Sequence, residues 1–139
     1  MSRTCVRGDA TEALVRSELL RAGLTVLEPI GTRHAFDLVV LADDQKVFRI
    51  QCKTARPRGD CLLFNSCSTD HGAGRRDYSG RADVFGVGDL ESREVYIVPV
   101  VSAGTRSTSL RLKPTRNGQQ AGILFAGHHT VAAWVATIE

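Results

Sequence analysis

The sequence predicts a mixed α/β (α+β) fold, with a leading helix, a run of strands joined by short turns, and a closing helix. Three patterns predict it. Apolar side chains form a broad face over residues 9–22, residues 36–41 are an almost unbroken oily run, and residues 46–55 alternate between apolar and polar. Hairpin-linked strands of this kind point to a mixed sheet rather than a doubly wound parallel one.

The chain has 139 residues, the size of one domain, and a single domain over residues 1–139 is expected. At 42% hydrophobic and 24% charged, its composition is globular. A domain of this length buries roughly two-thirds of the surface its unfolded chain exposes, so no disulfide or metal is needed for folding. No apolar run approaches the roughly 18 to 20 residues of a membrane span, and the opening MSRTCVRGDATE lacks the apolar core of a secretory signal. A cytoplasmic chain with no membrane partner is expected. Cys5, Cys52, Cys61 and Cys67 include no pair with two residues between, so they read as reduced thiols. His34, His71, His128 and His129 show no ligand spacing either.

The first element is a helix over residues 9–22. Asp9 with Glu12 fits a capping arrangement, Ala10, Ala13, Leu14, Leu19 and Leu20 form the apolar face, and Gly23 supplies the stop. A short strand over residues 24–27 closes at Pro29, and Gly31-Thr32-Arg33-His34 reads as a turn. The oily strand over residues 36–41 suits burial on both faces, with Asp37 the exception near its start. A turn at residues 42–45 leads to its partner over residues 46–55. There Phe48, Ile50 and Cys52 face one way, and Arg49, Gln51 and Lys53 the other.

Residues 56–60 read as the end of that strand, and residues 61–65 as the next. Residues 66–81, SCSTDHGAGRRDYSGR, show no periodicity and read as a long loop, a kind that is usually functional or mobile. Strands follow over residues 84–87 and 94–101, then a short edge strand over residues 108–112. A strand over 122–125 and a helix over 130–137 close the chain.

Four residues stand out as a set: Glu12 on the helix, Asp37 at the head of the oily strand, and Gln51 and Lys53 on the polar face of its partner. The hairpin sets Asp37 beside the far end of that partner, which gathers two acids, an amide and a lysine. Phosphodiester hydrolysis needs such a set. A hard cation such as Mg²⁺ takes one or two carboxylates plus waters and substrate oxygens, and a nearby lysine orients water and stabilises developing charge.

Glu12, then Phe36-Asp37, then Gln51-Cys52-Lys53 resembles the PD-(D/E)XK nuclease superfamily over residues 7–56. The nearest branches are the group I intron-associated endonucleases and the archaeal-type Holliday-junction resolvases. Asp77-Tyr78, Asp83-Val84-Phe85 and Val95-Tyr96-Ile97-Val98-Pro99 favour the intron-associated branch. The resemblance implies a restriction-endonuclease-like core, a mixed central sheet flanked by helices, and metal-dependent DNA endonuclease activity with Mg²⁺ or Mn²⁺. It implies Asp37 as the central metal ligand, Gln51 at the acidic position, the Cys52 carbonyl as a backbone ligand, Glu12 acting through a bound water, and Lys53 positioning the nucleophilic water. Two residues depart from the pattern. Phe36 replaces a proline, a mild change, and Gln51 replaces Asp or Glu, so it supplies less charge to a cation. Gln51 leaves a second reading open, a catalytically silent DNA-binding or assembly module on the same scaffold.

The formal net charge is +3, and 15 of the 18 basic residues are Arg, which forms bidentate bonds to phosphate. A GC-rich genome accounts for that usage equally well. Residues 49–81 carry seven basic residues against three acids, a balance of +4. Arg33, Arg56, Arg58, Arg75, Arg76, Tyr78 and Arg81 are the candidate DNA contacts. One site per chain and two strands to cut imply a homodimer or higher oligomer, acting on a site-specific duplex or a branched junction. The expected setting is the cytoplasm, at the nucleoid during action.

Overall fold

The structure is a computed structural model and describes residues 3–31, 33–43, 45–70 and 74–139, those at 3, 4, 69, 70 and 74–76 by backbone alone. Helix α1 (Arg3–Arg21) leads into β1 (Thr25–Leu27), β2 (Leu38–Leu41) and β3 (Val47–Thr54). Then come β4 (Arg56–Arg58), β5 (Cys61–Asn65), β6 (Cys67–Asp70) and β7 (Gly74–Asp77). β8 (Val84–Gly88), β9 (Val95–Pro99), β10 (Ser107–Arg111) and α2 (Val131–Ile138) complete the order.

The central sheet has five strands in the order β1-β2-β3-β8-β9. The β3–β8 pair is parallel, with Ile50 against Val84 and Gln51 against Phe85, and the other three pairs are antiparallel. The sheet is therefore mixed, as the sequence predicts. Both helices pack on one face, where Val15, Leu19, Leu38, Ile50, Val84, Ile97 and Trp134 form one core. The other face is covered by a second sheet, β10-β5-β4, over a core that includes Phe64, Phe85, Val87, Val98 and Leu110. Phe64 and Phe85 are fully buried and meet edge to face at 5.4 Å.

Several boundaries differ from the sequence expectation. α1 starts at Arg3, so Asp9 lies inside the helix and caps nothing. Residues 3–8 contain no proline, and Gly8 costs an exposed turn only about 1 kcal/mol. The stop falls where expected: Gly23 has φ 85°, Gly23 N–H donates to the Leu20 carbonyl, and Leu24 N–H donates to the Leu19 carbonyl. Arg56–Arg58 is itself an edge strand, a position that tolerates Pro57, and Gly59 at φ 60° turns the chain back into β5. Residues 66–81 are not one loop. β6 and β7 pair antiparallel, Cys67 with Asp77 and Ser68 with Arg76, and this hairpin carries too few apolar residues to show a period. Residues 122–125 make a single bridge, Phe125 to Arg111, because Gly122 turns at φ 74° and Ala126–His128 coils into a 3-10 turn. α2 forms as expected, with the Thr130 side chain accepting from Ala133 N–H at 3.1 Å.

Two glycines of β8 let α1 lie close to the sheet. A Cβ on Gly86 would stand 2.8 Å from a Val15 methyl and 3.1 Å from one of Ile50, and a Cβ on Gly88 would stand 2.9 Å from a Thr11 methyl. The Thr11 hydroxyl donates to the Arg7 carbonyl, so Thr54 is the donor in the 2.6 Å contact between the two threonine hydroxyls. That contact ties α1 to β3 one residue beyond Lys53. All four cysteines are free thiols, and no helix among the described residues is long and apolar enough to cross a membrane.

Gly86→Ala should overpack the α1–β8 contact, since Val15 is β-branched and fully buried. The expected loss is about 1–3 kcal/mol, read as a Tm lower by several degrees with the fold retained by circular dichroism.

Candidate active site

The register of β2 on β3 sets the centre of the site. Leu38 pairs with Ile50, so Asp37, one residue ahead of β2, comes opposite Gln51. Its N–H donates to the Ile50 carbonyl at 2.8 Å, which extends the ladder past the strand's end. Asp37 Oδ2 accepts from the Cys52 N–H at 2.9 Å, and Oδ1 accepts no hydrogen bond among the described residues. Gln51 Nε2 donates to the Cys52 carbonyl at 3.3 Å, placing the amide against the backbone oxygen of the motif.

Burial raises the Asp37 pKa, opposed by the Cys52 N–H bond and the Lys53 charge. The Glu12 pKa is raised by burial first and by the Asp37 charge second, with Arg16 pulling the other way. The two acids therefore feel one another, although they come from different elements. Glu12 is held at 3.3 Å by Arg16, one helical turn on, and Arg16 also pairs with Glu28. The Cys52 thiol is pushed up by burial and by both acids, so it stays neutral. Lys53 Nζ donates to the Tyr78 hydroxyl at 3.1 Å and to the Cys67 carbonyl at 3.3 Å.

Asp37, Gln51, Cys52 and Lys53 are thus gathered by contiguous contacts, with Glu12 in electrostatic reach. Asp37 and Gln51 line an open cleft of about 620 Å³ whose walls also include Arg33, His34, Tyr78 and Arg81, and Lys53 meets that wall through its bond to the Tyr78 hydroxyl. Among the candidate DNA contacts, Arg33 is exposed at the cleft, and Arg56 and Arg58 are exposed on the edge strand β4. Arg81 is half-buried and bonds its own loop at the Asp77 carbonyl, as well as the Ser68 hydroxyl. The side chains of Arg75 and Arg76 lie outside the described residues. Tyr78 is 5% exposed, with its ring packed edge-on against Phe85, so it offers the cleft a hydroxyl and not a stacking face.

Sequence reasoning missed three features. Arg16 was legible as a partner four residues after Glu12. His34, its ring tilted against that of Phe36 at 5.4 Å, lines the cleft with no local signal to mark it. Arg49 is not free for a ligand. It binds both Asp83 oxygens, with Nε and Nη2 each at 3.1 Å, and the Gly80 carbonyl, which removes one cation from the +4 segment.

The PD-(D/E)XK endonuclease family profile matches residues 2–132. The chain belongs to the PD-(D/E)XK endonuclease family. Its fold is similar to the solved structure of a bacterial homing endonuclease, I-Ssp6803I, at a TM-score of 0.74 and 20% identity, covering 99% of this chain and 94% of that one. No curated protein matches the sequence. PD-(D/E)XK nucleases generally use divalent metal ions. The donor set fits a hard cation of that kind. Asp37 has an unengaged oxygen, the Gln51 amide and Cys52 carbonyl lie together, and Glu12 and Asp37 raise the local negative potential. Mg²⁺ needs few protein ligands because it keeps its waters.

The raised Asp37 pKa carries a stability sign. The native state holds this proton more tightly than the unfolded chain, so stability is lost as pH rises above the ordinary Asp value, about 3.9. Asp37→Asn should then raise Tm at pH 7 in metal-free buffer by a few degrees. The gain should vanish near pH 3, where both proteins are neutral at this position. A thermal melt series across that window checks it.

Proposed function

We propose that this chain is a divalent-metal-dependent DNA endonuclease that hydrolyses phosphodiester bonds at a specific duplex site, in the manner of a homing enzyme. The observation that carries the reading is Asp37. It is a largely desolvated carboxylate with one oxygen pinned to the Cys52 N–H and the other open, between Gln51 and Glu12, with Lys53 two residues along β3. The site-specific mode is preferred to a branched-DNA mode because the solved structure similar in fold over nearly the whole chain is that of a homing endonuclease.

Asp37, the Gln51 amide oxygen and the Cys52 carbonyl would hold the cation, with Glu12 acting through water. Gln51 presents its oxygen after a half-turn of the amide. When bound, a cation such as Mg²⁺ or Mn²⁺ neutralises charge on the scissile phosphate and makes water more acidic. Lys53 directs an N–H at the attacking water or a phosphate oxygen, and Glu12 orients that water. Arg33, Arg56, Arg58 and Arg81 supply positive charge for the DNA backbone, and such contacts position the duplex without reading bases. The chain acts as one domain with one site, so cutting both strands calls for a homodimer or higher oligomer.

Nicking of supercoiled plasmid with Mg²⁺ or Mn²⁺ tests the reading. Wild type should cut, Lys53→Ala should fall on the order of 100-fold or more, and Asp37→Ala at least as far. Equal cutting by all three proteins would defeat the assignment. Salt-sensitive DNA binding with no cutting by any of them would leave a silent module.

The metal role has its own readout. Saturating Mn²⁺ should raise the Tm of wild type and leave Asp37→Asn unmoved, because only a ligand bound by the native state stabilises it. Gln51→Glu should lower the metal concentration for half-maximal cutting while lowering the metal-free Tm, since it adds a third acid to the pair.

A further inference from the structure

We propose that Tyr78 is a positioning residue for Lys53, and that its hydroxyl and the Cys67 carbonyl together aim the lysine's remaining N–H into the cleft. This rests on the catalytic reading of Lys53 given above.

A lysine ammonium has three N–H donors on a long flexible stem. Two of them are engaged, at 3.1 Å by the Tyr78 hydroxyl and at 3.3 Å by the Cys67 carbonyl. Fixing two directions of a tetrahedral group fixes the third, which finds no protein acceptor among the described residues. The ammonium also lies 4.8 Å from the Tyr78 ring centroid. Taken with the 3.1 Å contact to oxygen, that distance sets the charge beside the hydroxyl and off the ring centre, so the oxygen is the anchor.

Tyr78 is itself immobilised. Its ring meets Phe85 at 5.4 Å and 90°, the Arg81 guanidinium lies 5.2 Å from its centroid, and its carbonyl accepts from the N–H groups of Arg81 and Ala82. Only 5% of the residue is exposed, and the bond from Lys53 is the one hydrogen bond its hydroxyl makes among the described residues. A buried phenol would pack equally well as phenylalanine. The hydroxyl is explained by the amine it holds. The second anchor, Cys67, begins β6, so the aim of Lys53 is set jointly by the core and by the base of the β6–β7 hairpin.

Tyr78→Phe removes the oxygen and keeps the ring. The chain has three lysines, Lys46, Lys53 and Lys113, so a ¹³C-lysine spectrum holds three ε-methylene signals, and Lys53→Arg assigns one of them. Tyr78→Phe should shift the Lys53 signal alone. It should slow single-turnover nicking of supercoiled plasmid with Mn²⁺ about tenfold, while affinity for a fluorescent duplex and the Mn²⁺ midpoint stay within about twofold. An unmoved Lys53 signal, an unchanged rate, or a matching loss of duplex affinity overturns the proposal, the last by making Tyr78 a DNA contact. If Tyr78→Phe fails to fold, 3-fluorotyrosine in the wild-type chain weakens the same acceptor and must move the same signal. Lys53→Ala cutting at the wild-type rate would defeat the parent reading and this one with it. Lys53→Ala inactive beside a fully active Tyr78→Phe would defeat the positioning role alone.

Discussion

A carboxylate drawn partly out of water will stay ionised only if something compensates it, and for Asp37 that is the Cys52 N–H at 2.9 Å together with the Lys53 charge. Burial outweighs both, because the pKa remains raised. The residue therefore costs the metal-free fold stability at neutral pH, and neighbouring packing offsets the cost. Leu38, which follows it, and Ile50, which pairs with Leu38, are fully buried. The Leu38–Ile50 register also decides which groups meet the acid. A slip by one residue would turn Gln51 and Lys53 to the helix face and bring Phe48, Ile50 and Cys52 to the cleft.

Features far from Asp37 serve that register. Arg49 and Asp83 lock the start of the parallel β3–β8 pair. The Arg49 N–H donates to Asp83 Oδ2 at 2.7 Å, the Asp83 N–H returns to the Arg49 carbonyl at 2.9 Å, and the guanidinium closes on both carboxylate oxygens. At the other end, the bare backbone of Gly86 and Gly88 admits Val15 and Thr11, which draws α1 down until Glu12 feels the Asp37 charge. The hydroxyl pair Thr11–Thr54 then fixes helix to strand just past Lys53. Each device is modest alone. Together they leave the helix and the hairpin little freedom to move relative to each other.

Much of this was legible in the sequence. The oily run headed by Asp37 and the alternation through Gln51 and Lys53 state the β2–β3 hairpin directly. The run is not buried on both faces as expected: Leu38 and Val40 are buried and Val39 and Leu41 only half-buried, because no second layer covers that side of β2 in either core. Gly23 stated the helix stop, and Thr130 marked where the last helix begins. The β6–β7 hairpin was hidden because its pairing is a backbone matter, and CSTD and GRRD carry no apolar stripe to betray it. Arg49 looked like a free cation because its partner, Asp83, is 34 residues away and meets it only through a parallel crossover. Tyr78 read as a candidate DNA contact because nothing local says that its ring packs edge-on against Phe85. Contacts within a hairpin or a helical turn are written in spacing, whereas contacts made by the crossover between β3 and β8 are not.

The same contacts make sense of Gln51, the residue furthest from the family pattern. The Asp37 charge already raises the Glu12 pKa, and both acids raise that of the Cys52 thiol. A third carboxylate at 51 would stand opposite Asp37 in the strand register. The protein shows how it manages even the second acid, since Arg16 binds Glu12 and is itself shared with Glu28. The cations beside Gln51 on β3 are already in use, Arg49 in its pair with Asp83 and Lys53 in lowering the Asp37 pKa. An amide avoids that repulsion, keeps an oxygen that can face a cation, and lends its N–H to the Cys52 carbonyl in the meantime. On this view the neutral residue is a compromise between holding a metal and remaining folded without one, with Asp37 left as the principal charge at the centre.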